Sequence, residues 1–333
     1  MPAKLDLSSL VLTLKAAAES SRLRILSLLA SGDLTVSDLT EILGQSQPRV
    51  SRHLKLLADA GLIERYQEGS WAFFTVSDAD GVREFISGVV GRLSGGDAQI
   101  GRDNERLADV KRRRQVRAAA YFSANAGQWD ELRAMHAADG KVEDAIHRIA
   151  AEKPFRTMLD IGTGTGRLLE VLAPLYRRGI GIDLSRDMLD VARANLDKSG
   201  TAHAQVRHGD LYSAPVEHDA FDLVTMHQVL HYLDNPAAAI REAAKHLRPS
   251  GRLIIADFAP HAHEHLRHHH QHLRLGFTDR QVRDWMAEAG LEPGETVHIT
   301  ADEPDSLTVM LWHGQDRRLL IANPSRESLT ETA

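Results

Sequence analysis

The chain has 333 residues, a formal net charge of -6 and no cysteine. That length permits two domains, each with its own core; the acidic balance argues against nonspecific coating of nucleic acid or membrane, though not against a local basic patch. The missing cysteines exclude disulfides, zinc-thiolate sites and thiolate nucleophiles, and with no bilayer-length apolar run and no charged-then-apolar leader, a cytoplasmic protein with no membrane partner is the expectation.

The first predicted element is a helix from Leu5 to Ala18, with Leu7, Leu10, Val11 and Leu14 on a stripe that needs a partner. Ser20 or Ser21 can cap the next helix, which Gly32 stops. A short helix (Val36 to Leu43), the turn Gly44-Gln45-Ser46 and a helix from Gln47 to Ala60 follow. In that last helix Val50, Leu54 and Leu57 recur at i, i+4 and i+7 and face inward, which leaves Arg49, Ser51, Arg52, His53 and Lys55 on other faces. Two helices joined by a short glycine-containing turn form a helix-turn-helix, whose second helix enters the DNA major groove. LIERYQ and WAFFTV, separated by Glu68-Gly69-Ser70, read as a β-hairpin, so this part is an α+β winged helix.

Over SQPRVSRHLKLLADAGLI, and more broadly from about Ala16 to Val76, the chain resembles the ArsR/SmtB family of dimeric winged-helix repressors. The resemblance implies double-stranded operator DNA as a partner, contacted by Gln47, Arg49, Ser51, Arg52, His53 and Lys55, and a homodimer built on the first and last helices, here Leu5 to Ala18 and Gly81 to Leu93. The inducer sites do not carry over. Leu34-Thr35-Val36-Ser37-Asp38 stands where many relatives place paired cysteines, and SDADGVREFISGVV lacks the spaced Asp and His ligands of zinc-type sensors. Residues 1 to 100 hold ten Lys or Arg against twelve Asp or Glu, so DNA affinity cannot come from bulk charge. Between Gln45 and Arg65 the balance is four basic to two acidic. Arginine and glutamine suit base edges and Lys55 a phosphate; the other use of such a module is dimerisation alone.

Gly95-Gly96 marks a boundary. From Asn104 to about Asn125 the sequence favours a helix, about 30 Å long for about 20 residues and so able to hold two domains apart. Its run Lys111 to Arg114 is either a solvated face or an extra phosphate contact. Tyr121, Phe122 and Trp129 are either core or an aromatic lid.

Met158 to Glu170, MLDIGTGTGRLLE, is an apolar strand, then glycines at 162, 164 and 166, then the start of a helix. Glycine lets the backbone approach a ligand and adopt positive φ, which makes a nucleotide-cofactor cradle. The spacing is G-x-G-x-G, with Arg167 where a dinucleotide motif has its third glycine. GIGIDLS ends a second strand on Asp183, where a carboxylate can accept ribose hydroxyls. QVRHGDL ends a third on Asp210, FDLVTMHQVLHYL supplies a fourth strand and the helix after it, and HLRPSGRLIIADF a turn and a fifth strand. Ser185 can cap a helix that Gly200 ends, Thr278-Asp279-Arg280-Gln281 reads as a capping box, and ETVHIT and SLTVMLWHG supply closing strands before a polar tail from Gln315.

In these pieces and their order the chain resembles the class I S-adenosyl-L-methionine-dependent methyltransferases. The resemblance implies an α/β Rossmann-like, doubly wound, mostly parallel sheet with an antiparallel closing strand. It implies S-adenosyl-L-methionine or S-adenosylhomocysteine as cofactor, held by Asp160, Gly162, Thr163, Gly164, Gly166, Asp183, Leu184, Met188, Asp210, Leu211 and His227, with Asp210 toward the adenine amino group. Similar enzymes close an N-terminal helical segment over the cofactor, which adds Tyr121. The predicted division is a winged helix at 1–94, a helical linker or lid at 95–128, a methyltransferase domain at 129–318 and a tail at 319–333.

Cytosine-carbon methylation and arsenite methylation need cysteines, and His227-Gln228-Val229-Leu230 replaces the motif of DNA amino-methyltransferases. The DNA bound by one half is therefore not the expected substrate of the other. The closest likeness is to quinone-biosynthesis enzymes acting on small molecules. His227 and His231 are candidate bases, with cofactor lining the other role of His227. His261, His265, His268 and His272 would form one stripe on a helix, either a polar lid or a zinc pair, and no metal site is assigned. Two functions stand: a regulator whose methyltransferase-fold domain senses the cofactor pool, or a working small-molecule methyltransferase with a self-regulating DNA-binding domain.

Overall fold

The computed structural model describes residues 6–68, 71–77, 79, 81–94, 96–129, 139–300 and 307–318. Leu5, the predicted turn residues Gly69 and Ser70, Gly95 and the tail from 319 lie outside them.

Local signals account for the first compact unit, Met1–Ala124 with His231–Pro236 and Pro260–Gly276. Helix α1 (Leu7–Ala17) opens on Asp6, whose carboxylate accepts from the Ser9 amide. Helix α2 (Ser20–Leu29) is capped by Glu19 rather than by a serine: its carboxylate accepts from the Arg22 amide and also meets the positive end of the helix dipole. A Thr35/Asp38 capping box starts α3 (Val36–Leu43), and Gly44 ends it at φ +63. Helix α4 (Gln47–Asp59) buries Val50, Leu54 and Leu57. Strands β2 (Ile63–Glu68) and β3 (Trp71–Val76) pair antiparallel, with β1 (Leu34–Thr35) along β3, and α5 (Val82–Val90) adds Ile86 to the core. The winged helix forms as predicted.

The long helix α6 (Ala98–Asn125) is not a free spacer, because its first half is part of this core. Leu107 and Val110 join the apolar cluster of α2 to α5. Asp103, 2% exposed, accepts from Arg24 Nε at 2.5 Å and Nη2 at 2.7 Å. Arg113 pairs with Glu41 at the surface, and Arg114 lies between Asp38 (2.7 Å) and Asp234 (2.6 Å), so one member of the basic run serves as an internal brace. Two segments from later in the chain complete the unit. Arg274 reaches Asp33 at 3.3 Å, hydrogen-bonds the Tyr66 hydroxyl and lies 4.5 Å from the Phe73 ring centre. Arg267 covers the Trp71 ring at 4.7 Å. The compact units therefore cut across the predicted divisions 1–94, 95–128 and 129–318.

The second unit comprises Asn125–Leu230, Ala237–Ala259 and Phe277–Ala333. After α7 (Asp139–Ala151), strand and helix alternate: β4 (Thr157–Ile161), α8 (Arg167–Val171), β5 (Arg178–Asp183), α9 (Arg186–Ser199), β6 (Ala204–His208), β7 (Phe221–His227), α10 (Pro236–Lys245), β8 (Leu247–Phe258). Strands β9 (Leu291–Pro293), β10 (Val297–Ile299) and β11 (Val309–Asp316) close the sheet. Its order is β10-β11-β8-β7-β4-β5-β6, parallel from β8 to β6 and antiparallel at β11. The chain runs outward through β4, β5 and β6 and then returns to the other side of β4, which makes the β4/β7 boundary the switch point where such sheets take ligands. Buried Arg252 donates to the carbonyls of Ile149, Ala150 and Lys153, satisfying the end of α7.

Three expectations change here. The helix after β7 does not follow the strand directly: a single 3-10 turn (Leu230–Tyr232) intervenes and α10 starts at Pro236, which lacks an N–H and is tolerated at a helix start. Gln315 and Asp316 belong to β11, where they pair with Glu292 and Leu291, and are not tail. The histidine stripe does not form, because only His265–His269 is helical.

If α6 is integral to the winged helix, Asp103→Asn leaves the Arg24 guanidinium enclosed without its carboxylate and lowers the stability of this unit by about 3 kcal/mol. Urea unfolding of the full chain followed by limited proteolysis around residue 96 measures this, with the parent chain resisting cleavage.

Candidate functional site

Strand register assembles candidate cofactor residues. Ile161 pairs with Ile182 on one side and Met226 on the other, so Gly162, Asp183 and His227 are the next residues out at three adjacent carboxyl ends. His208 lies opposite Asp183, and Asp210 follows it. The amides of Gly162 and Thr163 both donate to the Ile182 carbonyl, at 2.9 and 3.0 Å, which folds the turn against β5. Gly162, Gly164 and Gly166 have φ of +68, +53 and +81. A Cβ on Gly162 would also lie 2.4 Å from Val229, and one on Gly164 would lie 3.7 Å from Trp129 Nε1. Position 162 thus demands glycine for both conformation and space.

The Asp183 carboxylate accepts from the Gly164 amide at 2.9 Å and the Ser185 amide at 2.8 Å. Each oxygen keeps a lone pair for a ribose hydroxyl. Burial pushes its pKa up, opposed by those amides. Ser185 caps α9 through the Met188 amide; Met188 is 2% and Leu211 7% exposed, whereas Leu184 points to solvent. Asp210 accepts from the Tyr212 amide at 3.0 Å. Asp160 is buried and accepts from the Thr225 hydroxyl at 2.6 Å, so its carboxylate ties β4 to β7. His227 is buried at the end of β7. Next to it Gln228, which pattern reading did not single out, has φ +54. Thr163 Oγ1 and Gln228 Nε2 are buried without a hydrogen-bond partner among the described residues. Positive-φ glycines, a strand-end carboxylate with spare lone pairs and two such orphaned polar atoms fit a nucleoside cofactor with hydroxyl and amino groups.

The remaining candidates belong to the first unit. His231 is 1% exposed and its ring lies 4.1 Å from that of His272, while its carbonyl accepts from the Leu273 and Arg274 amides. His227 and His231 therefore fall in different units, and only His227 stands at a strand end. The Tyr121 hydroxyl meets His270 Nδ1 at 2.6 Å, and burial raises the phenol's pKa. Phe122 packs edge-on to Tyr232. Trp129 stands at the glycine turn, its Nε1 3.7 Å from where a Cβ on Gly164 would lie. Among the described residues the 261–272 histidines bring no three metal-ligand atoms within 4.8 Å of one another.

On α4, Gln47, Arg49, Ser51, Arg52 and Lys55 are exposed. His53 differs from its predicted outward placement: it is half-buried, 3.6 Å from the Glu19 carboxylate, and burial lowers its pKa against the pull of Glu19. On α1, Leu7 is 78% and Leu12 64% exposed, an apolar face. Among the described residues no helix is long and apolar enough to cross a membrane.

Fold and strand ends together define a methyltransferase-type nucleoside-cofactor domain sharing its chain with a winged helix-turn-helix. Residues 19–65 match the model of the bacterial regulatory protein arsR family, and residues 159–255 match the methyltransferase domain model. An uncharacterised methyltransferase of Bacillus subtilis, YcgJ, is 28% identical over 42% of this chain and 54% of its own length. A ubiquinone biosynthesis O-methyltransferase of Aromatoleum aromaticum is 32% identical over 40% of this chain and 59% of its own. An arsenite methyltransferase of Aquipseudomonas alcaligenes is 34% identical over 30% of this chain and 32% of its own. The chain thus spans about a third to three fifths of these relatives. It carries an ArsR-type helix-turn-helix and a methyltransferase domain.

Gly162→Ala combines the Val229 clash with a left-handed alanine and should abolish cofactor binding by calorimetry. The double variant Gly162→Ala/Val229→Ala relieves the clash but keeps the strain, and recovers binding only in part. Because burial holds the Asp183 carboxyl above the usual aspartate range, acidification protonates it at a higher pH than it would an exposed aspartate. Cofactor affinity should therefore decline as pH falls toward that raised pKa, and Asp183→Asn should bind weakly with that pH dependence removed.

Proposed function

We propose that the protein is a cytoplasmic, homodimeric DNA-binding transcriptional regulator whose methyltransferase-fold domain senses S-adenosyl-L-methionine or S-adenosylhomocysteine, the cofactor pool of methionine and one-carbon metabolism. The observation that carries this reading is covalent. The chain leaves β7 at His227 and by His231 belongs to the unit that contains the winged helix; it leaves β8 at Phe258 and does so again from Pro260. Those departing segments are braced within that unit by Asp234 on Arg114 and by Arg274 on Asp33 and Tyr66. Strand ends that respond to a ligand are thus continuous with segments anchored beside the wing. A ligand that prefers one of two arrangements that also differ in DNA affinity shifts DNA binding, and DNA in turn shifts ligand affinity by the same factor. The reader is α4, through Gln47, Arg49, Ser51, Arg52 and Lys55, and the apolar face of α1 is the dimer surface.

The test is selection of an operator from random DNA, then titration of that operator with the ligand-free chain, with saturating S-adenosyl-L-methionine and with S-adenosylhomocysteine. At least a tenfold difference between two of these states is expected; equal affinity in all three sinks the sensor. Leu10→Glu/Leu14→Glu on α1 should convert dimer to monomer in sedimentation and weaken operator binding more than tenfold, while cofactor affinity is unchanged.

The methyltransferase match over 159–255 and the small-molecule methyltransferases among the relatives favour a second reading, an active enzyme on a small acceptor with a self-regulating DNA-binding domain. Sulfonium methyl transfer needs mainly in-line placement, with a base such as His227 only if the acceptor must lose a proton. The absence of cysteine removes the thiolate ligands that a trivalent arsenic substrate would need. Under this reading labelled S-adenosyl-L-methionine and a cell extract yield a labelled small molecule with the parent chain and none with Asp183→Ala.

A further inference from the structure

At the opposite end of the strands from the glycine turn, the second unit brings three ligand-type side chains together. His218 precedes β7, Glu242 is on α10, and His246 stands between α10 and β8; their ligand atoms all lie within 4.8 Å of one another. The backbone fixes this arrangement. The Asp219 amide donates to the Lys245 carbonyl at 3.0 Å, and the amides of Ala220 and Phe221 donate to the His246 carbonyl at 3.1 and 3.0 Å.

His246 is 1% exposed. Its Nδ1 lies 3.1 Å from the Glu217 carbonyl, which can only accept, so the ring proton sits on Nδ1 and the lone pair on Nε2. That Nε2 is buried and has no hydrogen-bond partner among the described residues. A histidine oriented through its second nitrogen by a backbone carbonyl is the usual support of a metal-ligating imidazole. Glu242 divides its oxygens: Oε2 accepts from Lys245 Nζ at 2.6 Å, and Oε1 lies 3.9 Å from His218 Nε2.

We infer that His218, Glu242 and His246 form a binding site for a divalent transition-metal ion of the zinc class, through two imidazoles and one carboxylate oxygen, with a further position left to water. The donor set selects Zn²⁺, Co²⁺ or Ni²⁺ over Mg²⁺ and Ca²⁺, which prefer all-oxygen shells. The ion braces the entries of β7 and β8, away from the carboxyl ends that hold the cofactor, so its role is structural. The site is independent of the regulatory reading above.

Metal-stripped full-length protein titrated with zinc against a chromogenic chelator should take one tightly bound ion per chain through this site, and cobalt(II) there should give the absorption of a low-coordinate nitrogen and oxygen set. His218→Ala and Glu242→Gln should each weaken zinc at least tenfold. Zinc should raise the thermal midpoint of the parent by roughly 5 °C and that of His218→Ala by much less. The His218 side chain is 59% exposed, so its removal leaves the fold intact even if His246→Asn does not. His263→Ala/His265→Ala, in the histidine-rich segment, should leave the tight ion in place. Absence of tight zinc in the parent, unchanged affinity in His218→Ala and Glu242→Gln, or loss of the ion on changing His263 and His265 overturns the assignment.

Discussion

A backbone turn with no room for a methyl group governs the second unit. Gly162 carries positive φ directly under Val229, and its amide and that of Thr163 share the Ile182 carbonyl, so the exits of β4, β5 and β7 are locked to one another through a few atoms. The turn sits where the sheet reverses its winding, the place where sheets of this kind take ligands. The Asp183 carboxylate belongs to the same device: it braces the Gly164 amide and offers its remaining lone pairs outward. A single carboxylate thus shapes the turn from the neighbouring strand end.

The first unit is held by half-buried and buried arginines as well as by apolar packing. Arg24, Arg114 and Arg274 each hold a carboxylate from a distant part of the chain: Asp103, then Asp38 with Asp234, then Asp33. For Arg114 burial alone would lower the pKa, but the two carboxylates outweigh it and leave it raised. Such pairs add little net stability against an apolar replacement, yet they cost a great deal to break on one side only. Asp234 meets Arg114, and Arg274 meets Asp33 and Tyr66, so segments 231–236 and 260–276 are tied to the winged helix within the first unit.

Much of this was legible in the residues because its causes are local. Glycine at 162, 164 and 166 reports positive φ, the spacing of Val50, Leu54 and Leu57 reports the buried face of α4, and the Thr278 to Gln281 box reports a helix start; each depends on neighbours within a few residues. Order of strands and the positions of Asp183, Asp210 and His227 at their ends follow from alternation along the chain. Other features depended on closure of the chain over long separations, which periodicity does not encode. Glu19, which caps α2 in place of a serine, also lies 3.6 Å from His53 of α4, and Asp103 of α6 finds Arg24 of α2. Gln228 takes a left-handed backbone that no glycine marks, and His218 reaches His246 only once β7 and β8 lie side by side. Sequence determined which short stretches bend, cap and bury, since backbone sterics and side-chain periodicity act over one or two turns. Tertiary structure alone decided which charged and polar groups meet, since a buried ion pair or a converging ligand set is selected by the desolvation of partners that stand far apart in the chain.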